Sequence, residues 1–377
     1  MGMKSKISCI GAVIFVFVSM LFTCPLWALD NSEPLAQPFL PMVRAMGGAF
    51  TAVANDENAV FYNPAGYALV KGEIITVFSL GIKVNIDDAA LKLYNAIISG
   101  EDPTASGNLD KYLSDTTIAP GIAGPIYFGR VGNNFGFAFY DNISITMDTR
   151  PGGLLPSAQL DAYTDIGFIG GYGRELPFLE NFYAGFNLKV LLRAKSSIEG
   201  TVLEVIDQVS DTSEIPISKA VGFGGDIGLL YFPNAWLSVA LCAKDFFGTR
   251  FSSWEALNQS TPFERSLIKP RIVFGLAFYP LIAGGETKNF KNFIIALDYS
   301  DLLDYTSIFT NVKLGIGFDT LRILRLRSGF DGGYPTFGIG FDLNVFQMNI
   351  VYFVDELGAY TGAQPVQNLM LNFAFRW

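Results

Sequence analysis

From residue 72 onward, apolar side chains fall on every second position in short runs, and clusters of Gly, Asn, Asp and Pro separate the runs. A period of two puts neighbouring side chains on opposite faces of a strand. The pattern predicts strands over 72–84, 118–131, 134–147, 159–173, 181–199, 220–232, 235–247, 269–279, 292–301, 308–320, 322–330, 335–343, 346–354 and 366–377. That is about fourteen, an even number, as single-chain bacterial barrels have. In the fifth, Phe182, Ala184, Phe186, Leu188, Val190 and Leu192 share one face, and Lys189, Arg193 and Lys195 share the other. In the tenth, Val312, Leu314, Ile316 and Phe318 oppose Asn311, Lys313 and Asp319; in the eleventh, Leu324 and Leu326 oppose Arg325 and Arg327. An apolar face backed by a charged one fits lipid outside and a polar lumen inside. The expected fold is therefore all-β, a transmembrane antiparallel barrel.

The connections alternate in length. Tight links fall at 132–133, 233–234, near 321 and at 344–345, with long ones at 85–117, 148–158, 200–219, 248–268 and 355–365 between them. Short turns at one end and long loops at the other are the periplasmic and extracellular ends of an outer-membrane barrel. Helical spacing recurs in three long loops. Leu91, Tyr94 and Ile98 recur in 88–98, and Val202, Val205, Ile206 and Val209 in the third loop; Ser252 with Glu255 reads as a capping box beside Phe251, Trp254 and Leu257. Leu91, Tyr94, Ile98, Phe251, Trp254 and Leu257 are candidates for gathering an apolar ligand at the barrel mouth; the plainer reading is that they pack over it.

One strand breaks its own pattern. The third keeps Phe135, Phe137 and Phe139 on the lipid parity, places Asp141 there, and resumes with Ile143, Ile145 and Met147. With a tilt near 45°, Asp141 lies roughly 17–20 Å from the turn at Asn133, inside the apolar band or near its edge. A carboxylate there is unfavourable. The expectation is a bulge at Tyr140-Asp141-Asn142 and a sideways opening beside it.

Composition narrows the class. Half of the 377 residues are hydrophobic and the mean hydropathy is +0.33, yet after residue 30 there is no long apolar run. The apolar content is dispersed, as barrel strands require. Ahead of it, Lys4, Lys6, the apolar run from Ile7 to Phe22 and Leu26-Trp27-Ala28 read as a signal peptide over 1–28, with Cys24 as a rival lipidation site. Cys242 is then the one cysteine left, so no internal disulfide forms. The chain has no histidine, which removes His-dependent nucleophilic and zinc chemistry. Its net charge of −9 becomes −11 without Lys4 and Lys6, which argues against nucleic acid. The lumen-parity charges Asp226, Asp298, Asp319, Asp342, Lys189, Arg271, Lys313, Arg325 and Arg327 read as structural pairs. No enzyme activity, cofactor or metal is expected.

Between the leader and the strands stands RAMGGAFTAVANDENAVFYNPAG, residues 44–66. It is too rich in Gly and Ala for a barrel strand, and Asn63-Pro64-Ala65-Gly66 reads as a turn and stop. Through Arg44, Gly47, Gly48, Ala49, Ala54, Asp56, Ala59, Tyr62, Asn63, Pro64, Ala65 and Gly66 it resembles the N-terminal segment of the FadL family of outer-membrane transporters for hydrophobic compounds. It is also similar to that of PorV-type secretion barrels. The resemblance implies a bacterial outer-membrane location, a hatch at 29–70 folded into the lumen, and a barrel over 71–377. It implies passive transport of long-chain fatty acids or similar hydrophobic compounds, with outer-membrane lipid around the wall. The alternation of Phe373, Phe375 and Trp377 resembles the signal read by the barrel-assembly machinery. A PorV-like secretion or surface-attachment component and a general porin stay as alternatives, and an inserted segment counts against the open porin.

Overall fold

The computed structural model describes residues 38, 40–105, 108–113, 115–152, 155–211, 215–257, 266–280, 290–304, 308–321, 323–358 and 360–377. The expected signal peptide, Cys24 and residues 29–37 of the expected hatch lie outside the described residues.

The sheet is one closed antiparallel barrel of fourteen strands. They are β1 (Glu73–Asn85), β2 (Thr116–Ile118 and Gly121–Gly132), β3 (Phe135–Arg150), β4 (Ser157–Glu175), β5 (Phe182–Thr201), β6 (Ser218–Asn234) and β7 (Leu237–Lys244 and Thr249–Phe251). They continue with β8 (Leu267–Ile268 and Arg271–Phe278), β9 (Phe290–Tyr299), β10 (Val312–Thr320), β11 (Leu324–Asp331), β12 (Tyr334–Asp342), β13 (Phe346–Glu356) and β14 (Pro365–Arg376). Each pairs with the next, and β14 pairs with β1, so no edge is left to lipid. Among the described residues no helix is long and apolar enough to cross a membrane.

The faces follow parity. Phe186, Leu188, Val190 and Leu192 of β5 are exposed on the outer wall, while Asn187, Leu191 and Arg193 between them are buried inside. Inside, the charges pair: Arg193 meets Asp165 at 2.6 Å, Lys189 meets Asp226 at 2.7 Å and Asp245 at 2.6 Å, and Arg327 meets Asp319 at 2.7 Å. Away from bulk water each charge needs such a partner.

Three departures from the sequence pattern have local causes. Residues 308–311, predicted as strand, form a helical turn (Ile308–Asn311), because Asn311 turns inward to bond Ser300. The seventh strand stops at Lys244, where Asp245 takes a φ of 50° to reach Lys189, and pairing resumes at Thr249. Ser252 and Glu255 do not start a helix: Ser252 bonds Val221, and Glu255–Ala256 pairs with Lys219 and Ser218. The other two loop helices form, α3 at Asp88–Ile98 and α5 at Val202–Ser210, with Thr201 and Glu204 making a capping box on the second.

Candidate functional site

Residues 38–72 cross the lumen and meet the inner faces of strands on opposite sides. α1 (Pro41–Ala45) rests on β12, where Thr336 Oγ donates to the Ala45 carbonyl at 2.8 Å and accepts the Gly47 N–H at 3.1 Å. The Phe50 and Thr51 N–H groups donate to Asp298 of β9 at 3.0 and 2.9 Å. α2 (Ala59–Tyr62) and a 3₁₀ turn (Pro64–Ala68) lie against β3–β6, where Tyr67 donates to Asn187 at 2.6 Å. Lys244 donates to the Phe61 carbonyl at 2.9 Å.

The residues singled out by the sequence motif do specific things here. Gly47 has a φ of +63°, and a side chain there would run into the Phe330 and Leu314 carbonyls. Only glycine fits that conformation and that approach. Asn63 is fully buried: its Oδ1 accepts the Ala65 N–H at 3.1 Å, and its Nδ2 donates to Thr51 O at 3.0 Å and Leu229 O at 3.2 Å. Pro64, with no N–H to satisfy, starts the 3₁₀ turn. Ala65 and Gly66 are buried beside it, and the Gly66 Cα faces the Ala54 carbonyl. Gly48 lies against the Lys313 stem. Arg44 reaches Asp331 at 3.5 Å and Asp355 at 3.3 Å and lies over the Phe353 ring.

The barrel side of this contact was missed from sequence. Inward glycines make the room: Gly173 and Gly185 face Pro64, Gly228 faces Asn63, and Gly315 and Gly329 face Met46. Their parity with the inward Asp226 and Lys313 was the available signal.

Above the segment, toward the long-loop end, is a cavity of about 740 Å³. Its wall mixes apolar surface with polar and charged groups, Asn142, Asp148, Asp161, Tyr163, Lys195 and Glu356 among them, and Arg44 and Tyr62 form part of its floor. Those two also line an adjoining space of about 130 Å³, beside Lys244 and Asp298. A third space, of about 80 Å³, opens near Asp56, Glu57 and Arg327. None of Leu91, Tyr94, Ile98, Phe251, Trp254 and Leu257 lines the large cavity. Phe251 and Trp254 are buried in the inner wall with Leu191 and Ile268, stacked on each other at 5.4 Å, with Lys195 over the Trp254 ring. Leu257 is exposed.

The expected bulge at Tyr140-Asp141-Asn142 is in the neighbouring strand. β3 pairs with β4 without a shift from Phe135 to Arg150. On its other side, Ala123 pairs with Asn142 and Tyr127 with Tyr140, so residues 124–126 of β2 face Asp141 alone. Pro125 has no N–H for a ladder and Gly124 takes a φ of +84°. Asp141 therefore keeps the lipid parity yet is 8% exposed, and its carboxylate accepts the Ile126 N–H at 3.1 Å. Tyr140 points inward onto Phe61, and Asn142 lines the large cavity. Where the last strand meets the first, Phe373 stacks with Phe346, Phe375 lies tilted against it, and Trp377 exchanges backbone hydrogen bonds with Ile75.

The segment also carries a titratable anchor near the short-turn end. Glu57 pairs with Arg376 at 2.7 Å. Burial, and Glu57 beside it, push the Asp56 carboxyl up to about 7, against the opposing pull of the Asn58 N–H and Arg325. A carboxyl whose pKa is raised on folding holds more protons folded than unfolded between the two values, so its stabilisation falls across that window as pH rises. Backbone hydrogen exchange in 50–66 is expected to speed up from about pH 4 to about pH 7 beyond its intrinsic pH dependence. Asp56→Asn is expected to remove that extra slope; an unchanged slope contradicts the assignment.

No family model matches the sequence, and no curated protein matches it. Solved structures do. A Pseudomonas aeruginosa FadL homologue aligns over 93% of this chain and 99% of its own at 10% identity and a TM-score of 0.50. A mutant of the monoaromatic hydrocarbon channel TodX aligns over 90% and 98% at 11% identity, also with a TM-score of 0.50. At such identities the likeness is one of fold: a fourteen-strand β-barrel similar to those of the FadL homologue and TodX.

Proposed function

We propose that the chain is an outer-membrane barrel for passive passage of hydrophobic compounds, with long-chain fatty acids or similar amphiphiles as the ligand class and residues 29–70 as its hatch. The observation that carries this reading is the pairing of a filled lumen with a locally irregular wall. Residues 38–72 occupy the interior, so bulk water has no wide path, which speaks against a general porin. The wall is irregular at Gly124–Ile126 beside Asp141, on strands whose inner face opens into the large cavity. That seam is where a sideways exit into lipid would form. The cavity's balanced charges, Arg44, Lys83 and Lys195 among Asp148, Asp161 and Asp355, suit a ligand with a polar head rather than a bare hydrocarbon. TodX, whose fold this one resembles, is named a monoaromatic hydrocarbon channel, which supports transport over PorV-like attachment.

Native mass spectrometry with lipid identification, on protein extracted from its own membrane, tests this. A bound single-chain amphiphile is expected. A barrel without lipid, held to a large secretion partner, overturns it.

A further inference from the structure

The two outer-loop helices lie on the outside of the barrel and not over its mouth. The residues beneath them settle this. Leu93 and Ala96 of α3 and Val202 and Val205 of α5 pack in one cluster with Tyr112, Leu113, Ala158 and Ile198, flanked by Ile118, Met147 and Leu160. Each strand residue in that cluster has outer-wall parity. Ile198 follows Leu188, Val190 and Leu192 on β5; Leu160 and Ala158 precede Phe168 on β4; Met147 follows Ile145 on β3; and Ile118 precedes Ile122 on β2. The pairing of β3 with β4 and of β4 with β5 runs without a shift to these positions, so no bulge reverses their sense. The inner parity at the same height belongs to the cavity, with Asp148, Asp161 and Lys195.

The level of this collar follows from β3. On the outer wall of β3, Phe135, Phe139 and Ile145 are exposed, with Phe137 and Ile143 half-buried and Asp141 tucked in between. Ten residues at that tilt rise roughly 23 Å, close to the height of the apolar band of an outer-membrane barrel. Met147, the next residue outward on that face, is already under the helices. The collar therefore begins where the lipid-facing band ends.

Its exposed surface mixes apolar side chains with polar ones, Lys92 and Asn95 on α3 and Glu204 and Asp207 on α5. α3 turns Ala90, Leu93 and Ala96 toward the wall. Leu91 and Ile98, seven positions apart and so on one face, are 42% and 83% exposed. α5 leaves Leu203 and Val209 exposed beside its buried Val202 and Val205. Exposed apolar side chains on helices lying along a wall, at the edge of a lipid belt, match amphipathic helices of a membrane interface.

We propose that α3 and α5 form a one-sided membrane-docking collar on β2–β5, with Leu91, Ile98, Leu203 and Val209 inserted into the lipid surface. The occupant is lipid because this apolar surface continues the exposed belt of Phe139, Ile145, Phe168 and Leu192 directly below it. The proposal rests on the barrel reading, and the test separates the two. Nitroxide labels are placed singly at Leu91→Cys, Ile98→Cys and Val209→Cys, with Asp207→Cys, exposed and on the opposite face of α5 from Val209, and Leu188→Cys in the band. The full chain, folded into phosphatidylcholine vesicles and checked by gel mobility, is probed with oxygen and a water-soluble nickel chelate; the unsubstituted chain gives the background label. Leu188 collides with oxygen in preference to nickel by several-fold if the barrel spans lipid. The collar labels are expected to share that preference, and Asp207 to reverse it. Collar labels that meet nickel as Asp207 does overturn the collar while leaving the barrel. Labels shielded from both agents also overturn it, since protein would then cover them. A water-exposed Leu188 overturns the barrel reading and the collar with it.

Discussion

Removal of Phe375, Arg376 and Trp377 is expected to abolish stable insertion. These residues join the last strand to the first at the short-turn end. The Ile75 N–H donates to the Trp377 carbonyl at 2.7 Å, and the Trp377 N–H donates to the Ile75 carbonyl at 3.0 Å. Phe375 lies opposite Phe78 on one side and Phe346 on the other, with ring centroids 6.0 and 5.2 Å apart. Arg376 ties three parts of the molecule together: Glu57 of the inner segment at 2.7 Å, Asp342 of β12 at 2.5 Å, and its own strand. Without the three residues, backbone groups of β1 and β13 lose partners at the wall. Each unpaired group in an apolar surrounding costs several kcal/mol, on the order of 2–7. A register shift could not restore them, because slipping by one residue would turn every lipid-facing side chain inward. The check is the heat-modifiable shift of the folded barrel on a gel. The account expects the shifted band to vanish; a normal folded band contradicts it.

The strands were legible because lipid and lumen impose opposite demands on alternate residues. Leu188 and Lys189 report their faces without any tertiary knowledge. What alternation could not show is any feature that preserves parity. Residues 124–126 insert two extra positions opposite Asp141, so Ile122 and Ile126 both stay on the outer face and the pattern runs through the break. Asp141 marked the place but pointed to the wrong strand. The turn at Ile308–Asn311 hid in the same way, since Ile308 and Thr310 continue the alternation of Val312 and Leu314. Helical spacing found α3 and α5 but not the surface they cover. Leu91 and Ile98 were legible as one face; that it looks away from both the wall and the cavity depends on which strands lie beneath. Phe251 and Trp254 misled because Ser252 and Glu255 imitate a capping box while pairing with β6. Within the inner segment, the Asn63-Pro64-Ala65-Gly66 turn was readable locally, but its receptors were not. Gly173, Gly185 and Gly228 come from three different strands and converge on it only in the closed barrel.

Deleting residues 38–66 is expected to leave a barrel that inserts and conducts ions far more freely. The closure of β1 on β14 uses none of these residues, so the wall survives. The interior does not stay filled. The segment supplies most of the buried apolar cluster at the barrel's centre, including Val43, Met46, Val53 and Val60, and it lies between the large outer cavity and the small space near Asp56 and Glu57 at the short-turn end. Its removal also frees inward groups that it now satisfies, Asp298, Asn187 and Lys244 among them, and water would take its place. Asn63→Ala is the milder form of the same test. It leaves two carbonyls and one N–H without their partner, at about 1–3 kcal/mol for each group that finds no water, and is expected to give intermittent openings. The direct measurement is single-channel conductance in planar bilayers, with the intact chain and the deletion compared under identical salt. The account predicts little or no conductance for the intact barrel and large, steady openings for the deletion. Equal conductance from the two would contradict it, because the segment would then not govern the lumen.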